Sequence, residues 1–359
     1  MISKNEEDIV RNWDKNQFNT PVVSIRCIAY NHEKYIAQCL DGFLMQETTF
    51  PFQIVVHDDA STDNTASIIR TYEEKYPHII VALYEEENLY SKKDGSLGKR
   101  VNSFCKGKYI ALCEGDDYWT DKKKLQLQYE ALENNPDCSM CTCLVQCCNE
   151  DGTQNVSTYP CAKYGLDYSR KVNEEELIRM LCPGYPFHTS SYFIRKEAFF
   201  YSVQGVTEYF KRDDGIMLKA SLWGIVYYIN QPMSMRRFGA KDGWVARVLH
   251  GGKRALFFYD VDNYFMFLAF EKITKGRYRE IVFPHMISIL VGIISYDREK
   301  AIEIERNYIC LIGDDEYKNR FSEAVKKMGF IDKFKLRTFK KMPLIYDSFS
   351  KVWHLLHRN

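Results

Sequence analysis

Lys108-Tyr-Ile-Ala-Leu-Cys-Glu-Gly-Asp-Asp-Tyr-Trp119 is the stretch whose reading decides the fold. Tyr109 to Cys113 is an apolar run of strand length, and it stops at the acids Glu114, Asp116 and Asp117. A strand covered on both faces that ends in carboxylates belongs to an open parallel sheet, where ligands sit beyond the carboxyl ends of the strands. Glu114 and Asp116 stand two apart, so an extended backbone puts them on one face. Hard oxygen donors at that spacing suit Mg²⁺ or Mn²⁺ held together with substrate phosphates. A solvated acidic turn is the competing reading, weakened by Gly115 and by the aromatic pair Tyr118-Trp119.

Upstream, the chain alternates strand and helix. Residues 21–29 are β-branched and apolar, a first strand, and Tyr30-Asn31-His32-Glu33 makes the turn after it. Residues 33–44 carry Tyr35-Ile36, Cys39-Leu40 and Phe43-Leu44 at helical spacing. A second strand, 52–57, closes on Asp58-Asp59-Ala60-Ser61-Thr62-Asp63; a helix over 64–76 and a strand over 79–84 follow. This β-α-β-α-β order predicts an α/β domain with a parallel sheet and helices on both faces. Sequential parallel strands bring Asp58-Asp59 and Glu114 to Asp117 to one edge. A nucleotide hydrogen-bonded by the first pair, with a metal and diphosphate at the second cluster, accounts for both positions.

These three blocks, Ile25 with Tyr30-Asn31-His32-Glu33, Val55 to Thr65, and Lys108 to Trp119, resemble a family-2 glycosyltransferase of the bacterial surface-polysaccharide type. The match runs over residues 21–136. The resemblance implies a GT-A fold, Rossmann-like, with a mostly parallel central sheet and a helical C-terminal extension. It puts Ala29, Tyr30, Asn31 and Glu33 at the nucleotide, Asp58 or Asp59 at the uridine or its ribose, and Lys99 and Arg100 near the diphosphate. Glu114-Gly115-Asp116 stands where the family has D-x-D, with Asp116 as metal ligand. Glu in place of the first Asp is a departure from that pattern.

The second half is less regular. Residues 183–191 form a loop rich in proline and polar residues that leads into a strand at 192–195, and His188 there is a candidate for acceptor contact. Sugar transfer needs a base for the acceptor hydroxyl. Asp213-Asp214, opening an apolar-periodic helix, occupy the place where the family carries its base; helix capping alone also favours acids there, and the two remain unseparated. Arg237 fits an Arg position of the family near the diphosphate, while the His that follows it in the family is replaced by Gly239. Asp117 and Trp119 complete the candidates for acceptor or diphosphate contact. Residues 239–243 have the composition of a mobile loop over phosphates.

With 49 Lys and Arg against 48 Asp and Glu in 359 residues, bulk charge points to no polyanion, and nucleic acid is not an expected partner. Five of the 12 Cys cluster between Cys138 and Cys148, but no second pair follows Cys138-x-x-Cys141 at zinc spacing, so reduced thiols in a cytoplasmic protein are expected. No run reaches the ~20 apolar residues that span a bilayer; 281–296 reads as a buried helix. Residues 320–359 mix lysines with Phe330, Phe334, Phe339 and Trp353, as a surface for anionic lipid would, or as an ordinary charged helix. The expected organisation is a catalytic domain over 1–245 and a helical region with this tail over 246–359. The expected activity is inverting, metal-dependent hexosyl transfer from a UDP sugar to a saccharide or lipid-linked acceptor in capsule or O-antigen synthesis, at the inner face of the membrane. A nucleotide-sugar-binding protein with impaired catalysis is the alternative, supported by Glu114; a nucleotidyltransferase is disfavoured because Ala29-Tyr30-Asn31-His32 replaces a glycine-rich basic loop.

Overall fold

The computed structural model describes residues 4–13, 20–182, 184–201, 210, 212–238, 252–294 and 297–327. The tail beyond residue 327 and the stretch 239–243 lie outside the described residues. Two compact units are present. The first comprises residues 1–180, 184–202 and 216–240, the second 181–183, 203–215 and 241–359.

The strands of the first unit, in chain order, are β1 (Val23–Ala29), β2 (Phe52–Asp58), β3 (Ile80–Tyr84), β4 (Tyr109–Leu112), β5 (Tyr118–Trp119), β6 (Cys138–Cys148), β7 (Gln154–Tyr159), β8 (Arg170–Val172), β9 (Phe193–Arg195) and β10 (Ile225–Arg237). The helices that lie in it wholly or for most of their length are α1 (Glu6–Val10), α2 (Ile36–Leu44), α3 (Thr65–Lys75), α4 (Leu89–Lys92), α5 (Ser96–Asn102), α6 (Lys124–Glu133), α7 (Glu174–Leu181), α8 (Lys196–Phe200) and α9 (Asp213–Ser221). The strands make one sheet in the order β3-β2-β1-β4-β9-β6-β10-β5, with β7 beside β6 and β8 beside β10. From β3 to β4 it is parallel, β9 enters antiparallel, and β6 and β10 are again parallel to each other. The expected α/β GT-A architecture is therefore present.

Every residue of β2 is buried, the signature of a strand covered on both faces. On one side α2 lays down Ile36, Cys39, Leu40 and Phe43, spaced to share one helical stripe and all fully buried. Each such apolar side chain contributes about 1.5–3 kcal/mol relative to an exposed one. The approach of β4 to β1 requires Gly107: a Cβ there would stand 2.5 Å from the Ser24 backbone nitrogen. Gly107 N–H instead donates to Ser24 Oγ at 2.8 Å, fixing the start of β4.

The cysteine-rich stretch is β6. Its thiols act as small apolar groups: Cys141, Cys143 and Cys147 are fully buried, and all twelve cysteines are free. Burial pushes the thiols up, Cys138 and Cys143 to about 11 and Cys147 to about 12, so they stay protonated at neutral pH.

The second unit contains the helices Gly252–Ile273, Arg279–Ile294, Arg298–Ile312 and Asp314–Lys327. Arg279–Ile294 is the expected buried helix and tolerates Pro284 in its interior. Among the described residues no helix is long and apolar enough to cross a membrane.

Candidate functional site

The register of the sheet sets Ala29 opposite Asp58 across β1 and β2, and Asp58 opposite Tyr84 across β2 and β3. On the other side of β1, pairing with β4 continues beyond the strand: Cys113 N–H donates to Arg26 O at 3.2 Å and Gly115 N–H to Ile28 O at 2.9 Å. The two acid clusters thus meet at one carboxyl edge, flanking Ala29. Gly115 is needed for that approach, because a Cβ would lie 2.8 Å from His32 Nδ1 and 3.1 Å from the Ala29 Cβ.

Asp58 and Asp59 have different tasks. Asp59 accepts from the first amides of α4, Leu89 N–H at 2.7 Å and Tyr90 N–H at 3.0 Å, a cap that occupies both carboxylate oxygens. Asp58 accepts from Ser61 N–H at 3.2 Å through Oδ2, while its Oδ1 is buried and has no hydrogen-bond partner. A buried carboxylate oxygen without a donor is costly, and a ligand N–H or O–H would satisfy it.

The turn after β1 is zipped to the turn after β2. Asn31 adopts a left-handed conformation (φ 55°), accepting through Oδ1 from Thr62 N–H at 2.8 Å and donating its own N–H to Ser61 Oγ at 2.9 Å. Glu33 accepts from Asn64 N–H at 3.0 Å and donates its N–H to Asp63 at 3.1 Å. Burial acts to raise the Asp63 carboxyl, but donors from Thr65 and Glu33 win and hold it below the usual range. The side chains of Asn31 and Glu33 are therefore bound within the protein, whereas Tyr30 is 37 % exposed at the lip. Lys99 and Arg100 lie exposed on α5, and Arg100 Nε binds Glu85 Oε1 at 2.9 Å. Glu85 in turn donates its N–H to Asp58 O at 3.1 Å.

Behind the acidic turn stands Arg237. Its main-chain N–H donates to Asp117 Oδ1 at 2.8 Å and its Nε to Asp116 O at 3.1 Å. Nη2 reaches Gln38 Oε1 at 2.6 Å and Nη1 reaches Glu150 O at 3.3 Å, with the Tyr35 and Tyr118 rings on either side. Expected at the diphosphate, this guanidinium gives three hydrogen bonds to the protein. Asp117 is 5 % exposed; burial, then the Asp116 charge, raises its carboxyl well above the usual range. His188 Nδ1 is 3.6 Å from Asp117 Oδ2, and burial, then the Arg236 charge, pushes the imidazole well below its usual value. Trp119, a sequence candidate for acceptor contact, is 2 % exposed: its Nε1–H donates to Ser190 O at 2.9 Å and its ring meets Phe43 edge-on. Asp117, His188, Trp119 and Arg237 thus form the buried backing of the turn.

Asp116 is half-buried, and its carboxylate takes no hydrogen bond or ion pair from the described residues. Among the described residues no three His, Cys, Asp or Glu side chains are grouped to hold an ion. Mg²⁺ and Mn²⁺ keep waters and substrate oxygens and need only one or two protein carboxylates, so Asp116 with Glu114 is a donor set of the right chemistry.

Asp213 and Asp214 begin α9, and this first turn belongs to the second unit. Asp214 Oδ2 accepts from Arg212 Nη2 at 2.9 Å and Oδ1 from Gly215 N–H at 3.0 Å, whereas Asp213 is exposed.

An uncharacterized protein of Mycobacterium tuberculosis is 40% identical over 147 residues, 41% of this chain and 41% of the relative. The chain thus spans about two fifths of the length of the curated relatives it matches over that stretch. The poly(ribitol-phosphate) beta-glucosyltransferase of Bacillus spizizenii is 31% identical over 121 residues, 33% of this chain and 18% of that protein. Among solved structures, S. aureus TarS 1-349 in complex with UDP-GlcNAc shares the fold with a TM-score of 0.53 and 17% identity, over 91% of this chain and 88% of that one. The model of glycosyl transferase family 2 matches residues 24–203, half of the chain and the whole of the edge described above, and the protein belongs to that family.

Proposed function

We propose that the protein transfers a hexosyl group from a UDP sugar to a hydroxyl of a saccharide or lipid-linked saccharide, with inversion and with Mg²⁺ or Mn²⁺. The observation that carries this reading is the buried, unsatisfied Oδ1 of Asp58 one strand away from the Glu114-Gly115-Asp116 turn. The uracil ring offers a single N–H to such an acceptor, and the Tyr30 ring at the lip offers an apolar face beside it. The UDP-GlcNAc bound by a protein of the same fold agrees with this choice of donor.

Asp116, with Glu114, would hold the ion. When bound, the ion neutralises charge developing on the departing diphosphate. Arg237 holds the turn in place by gripping Asp116 O and Asp117, which pre-organises the two carboxylates before substrate arrives. An Asp of the 213–214 pair takes the proton of the acceptor hydroxyl. The acceptor oxygen bonds to the anomeric carbon as the bond to the diphosphate oxygen breaks and its electron pair leaves with UDP. A capsule or O-antigen acceptor follows from the resemblance to transferases of the bacterial surface-polysaccharide type, and a lipid-linked form met at the inner face of the membrane suits the basic and aromatic composition of the C-terminal tail.

Turnover of a panel of nucleotide sugars with and without Mn²⁺ tests the reading. Wild type should release UDP in a metal-dependent manner, and Asp116→Asn should lose that activity with its circular dichroism unchanged. Metal-independent turnover, or full activity in Asp116→Asn, removes the ion from the mechanism; binding of UDP sugars without any turnover makes the protein a binder.

A further inference from the structure

Arg236 is the neighbour of the clamp residue but is held differently. Its guanidinium lies 4.2 Å from the centroid of the Phe238 ring and 5.1 Å from that of Tyr159, and it donates to the Tyr159 hydroxyl. No carboxylate among the described residues lies within ion-pair distance of it. The nearby acid, Asp117, is buried and already takes the Arg237 main-chain N–H. A half-buried guanidinium flanked by two rings is fixed in orientation, and its remaining donors form a planar fork that matches phosphate or carboxylate oxygens. The wall beside it is aromatic: the Tyr159 ring meets the half-buried Tyr185 at 6.0 Å, with the buried His188 behind it at 5.4 Å. Such faces suit the apolar side of a sugar ring. Tyr159 ends β7, which pairs with β6, whereas the Asp58 turn follows β2 on the far side of β1 and β4.

We propose that Arg236, set between Tyr159 and Phe238, is an oxyanion-recognition residue of the acceptor site, so that the favoured acceptor carries a phosphate or carboxylate close to the hydroxyl that is glycosylated. This rests on the nucleotide-sugar reading, which assigns the other side of the acidic turn to the donor. It makes Arg236 a specificity residue, distinct from the clamp formed by Arg237.

The experiment titrates the full chain with glycerol 3-phosphate and with glycerol, followed by ligand-observed NMR, with and without saturating UDP and Mg²⁺. With UDP bound, wild type should prefer glycerol 3-phosphate over glycerol by at least about tenfold. Arg236→Gln should lose that preference while keeping its UDP affinity within about twofold, and Arg236→Lys should retain part of it. Survival of the preference in Arg236→Gln, or no preference in wild type, overturns the proposal. Loss of glycerol 3-phosphate binding when UDP is present, together with weakened UDP binding in Arg236→Gln, assigns the guanidinium to the donor diphosphate and also overturns it. If wild type fails to bind UDP yet keeps an Arg236-dependent preference, the oxyanion site stands and the nucleotide reading falls.

Discussion

Arg237 donates its main-chain N–H to Asp117 at 2.8 Å and its side-chain Nε to the adjoining Asp116 carbonyl at 3.1 Å, so the end of β10 is bolted to the turn after β4. The other donors tie the same residue to Gln38 and to Glu150. Replacing Arg237 with Ala removes a buried side chain and its three hydrogen bonds to Asp116 O, Glu150 O and Gln38 Oε1, which should cost about 2–4 kcal/mol. Urea unfolding reads the loss. The UDP affinity should fall as well, since the turn is no longer held; an unaltered midpoint would show that the clamp carries no load.

Asp58 and Asp59 are adjacent and both buried, yet they should separate cleanly. Asp59→Asn turns one acceptor of the α4 amides into a donor and should cost about 1–2 kcal/mol of stability. Asp58→Asn should leave the urea midpoint nearly unchanged, or raise it, because it trades a buried carboxylate oxygen that has no donor for a neutral amide. Its UDP affinity, measured by calorimetry, should drop about tenfold or more. The reverse pattern would exchange the roles.

Asp213 and Asp214 can be told apart by measuring transfer and thermal stability together. Asp214→Asn loses the Arg212 ion pair and weakens the acceptor for Gly215 N–H, so part of its effect should appear as reduced thermal stability. If Asp213 is the base, its variant loses transfer at least about a hundredfold with UDP-sugar binding intact. Full transfer in Asp213→Asn would move the role to Asp214.

How far this arrangement could be read from the sequence differs from element to element. The strands ending at Ala29, Asp58 and Leu112 were legible because apolar runs stop abruptly at polar turns. Their shared edge followed from the β-α-β order. The strand Cys138–Cys148 was not, since thiols lack the β-branched signature. Strand β10 contains Pro232, which reads as a strand breaker; register shifts around it absorb the proline and carry the strand on to Arg237. The difference between Asp58 and Asp59 depends on where the α4 amides point, and the grip of Arg237 on Gln38 spans 199 residues. Neither leaves a local pattern. Trp119 looked like a lip residue beside the acids, but the strand pairing of β5 with β10 turns its ring into the core.

Lys124 is the most exposed to test by pH, because it is fully buried at the start of α6 with one hydrogen bond, to Gln128 Oε1 at 2.6 Å, and the Trp119 ring 4.1 Å away. Among the described residues no carboxylate lies within ion-pair distance of it, and the surrounding ionisable groups are the Cys113, Cys141 and Cys143 thiols, which burial keeps protonated. Burial therefore lowers the ammonium below its ordinary value of 10.5. Between the lowered folded value and 10.5 the unfolded chain holds the extra proton, so stability rises with pH across that window. Each unit of lowering is worth about 1.4 kcal/mol. Lys124→Met removes the titration but keeps most of the volume. The difference in unfolding free energy, wild type minus Lys124→Met, should become more favourable to wild type from pH 7 to pH 10 in urea titrations. A difference that is flat across that range would mean that the lysine stays charged in the core, with the Trp119 face and Gln128 sufficient to hold it.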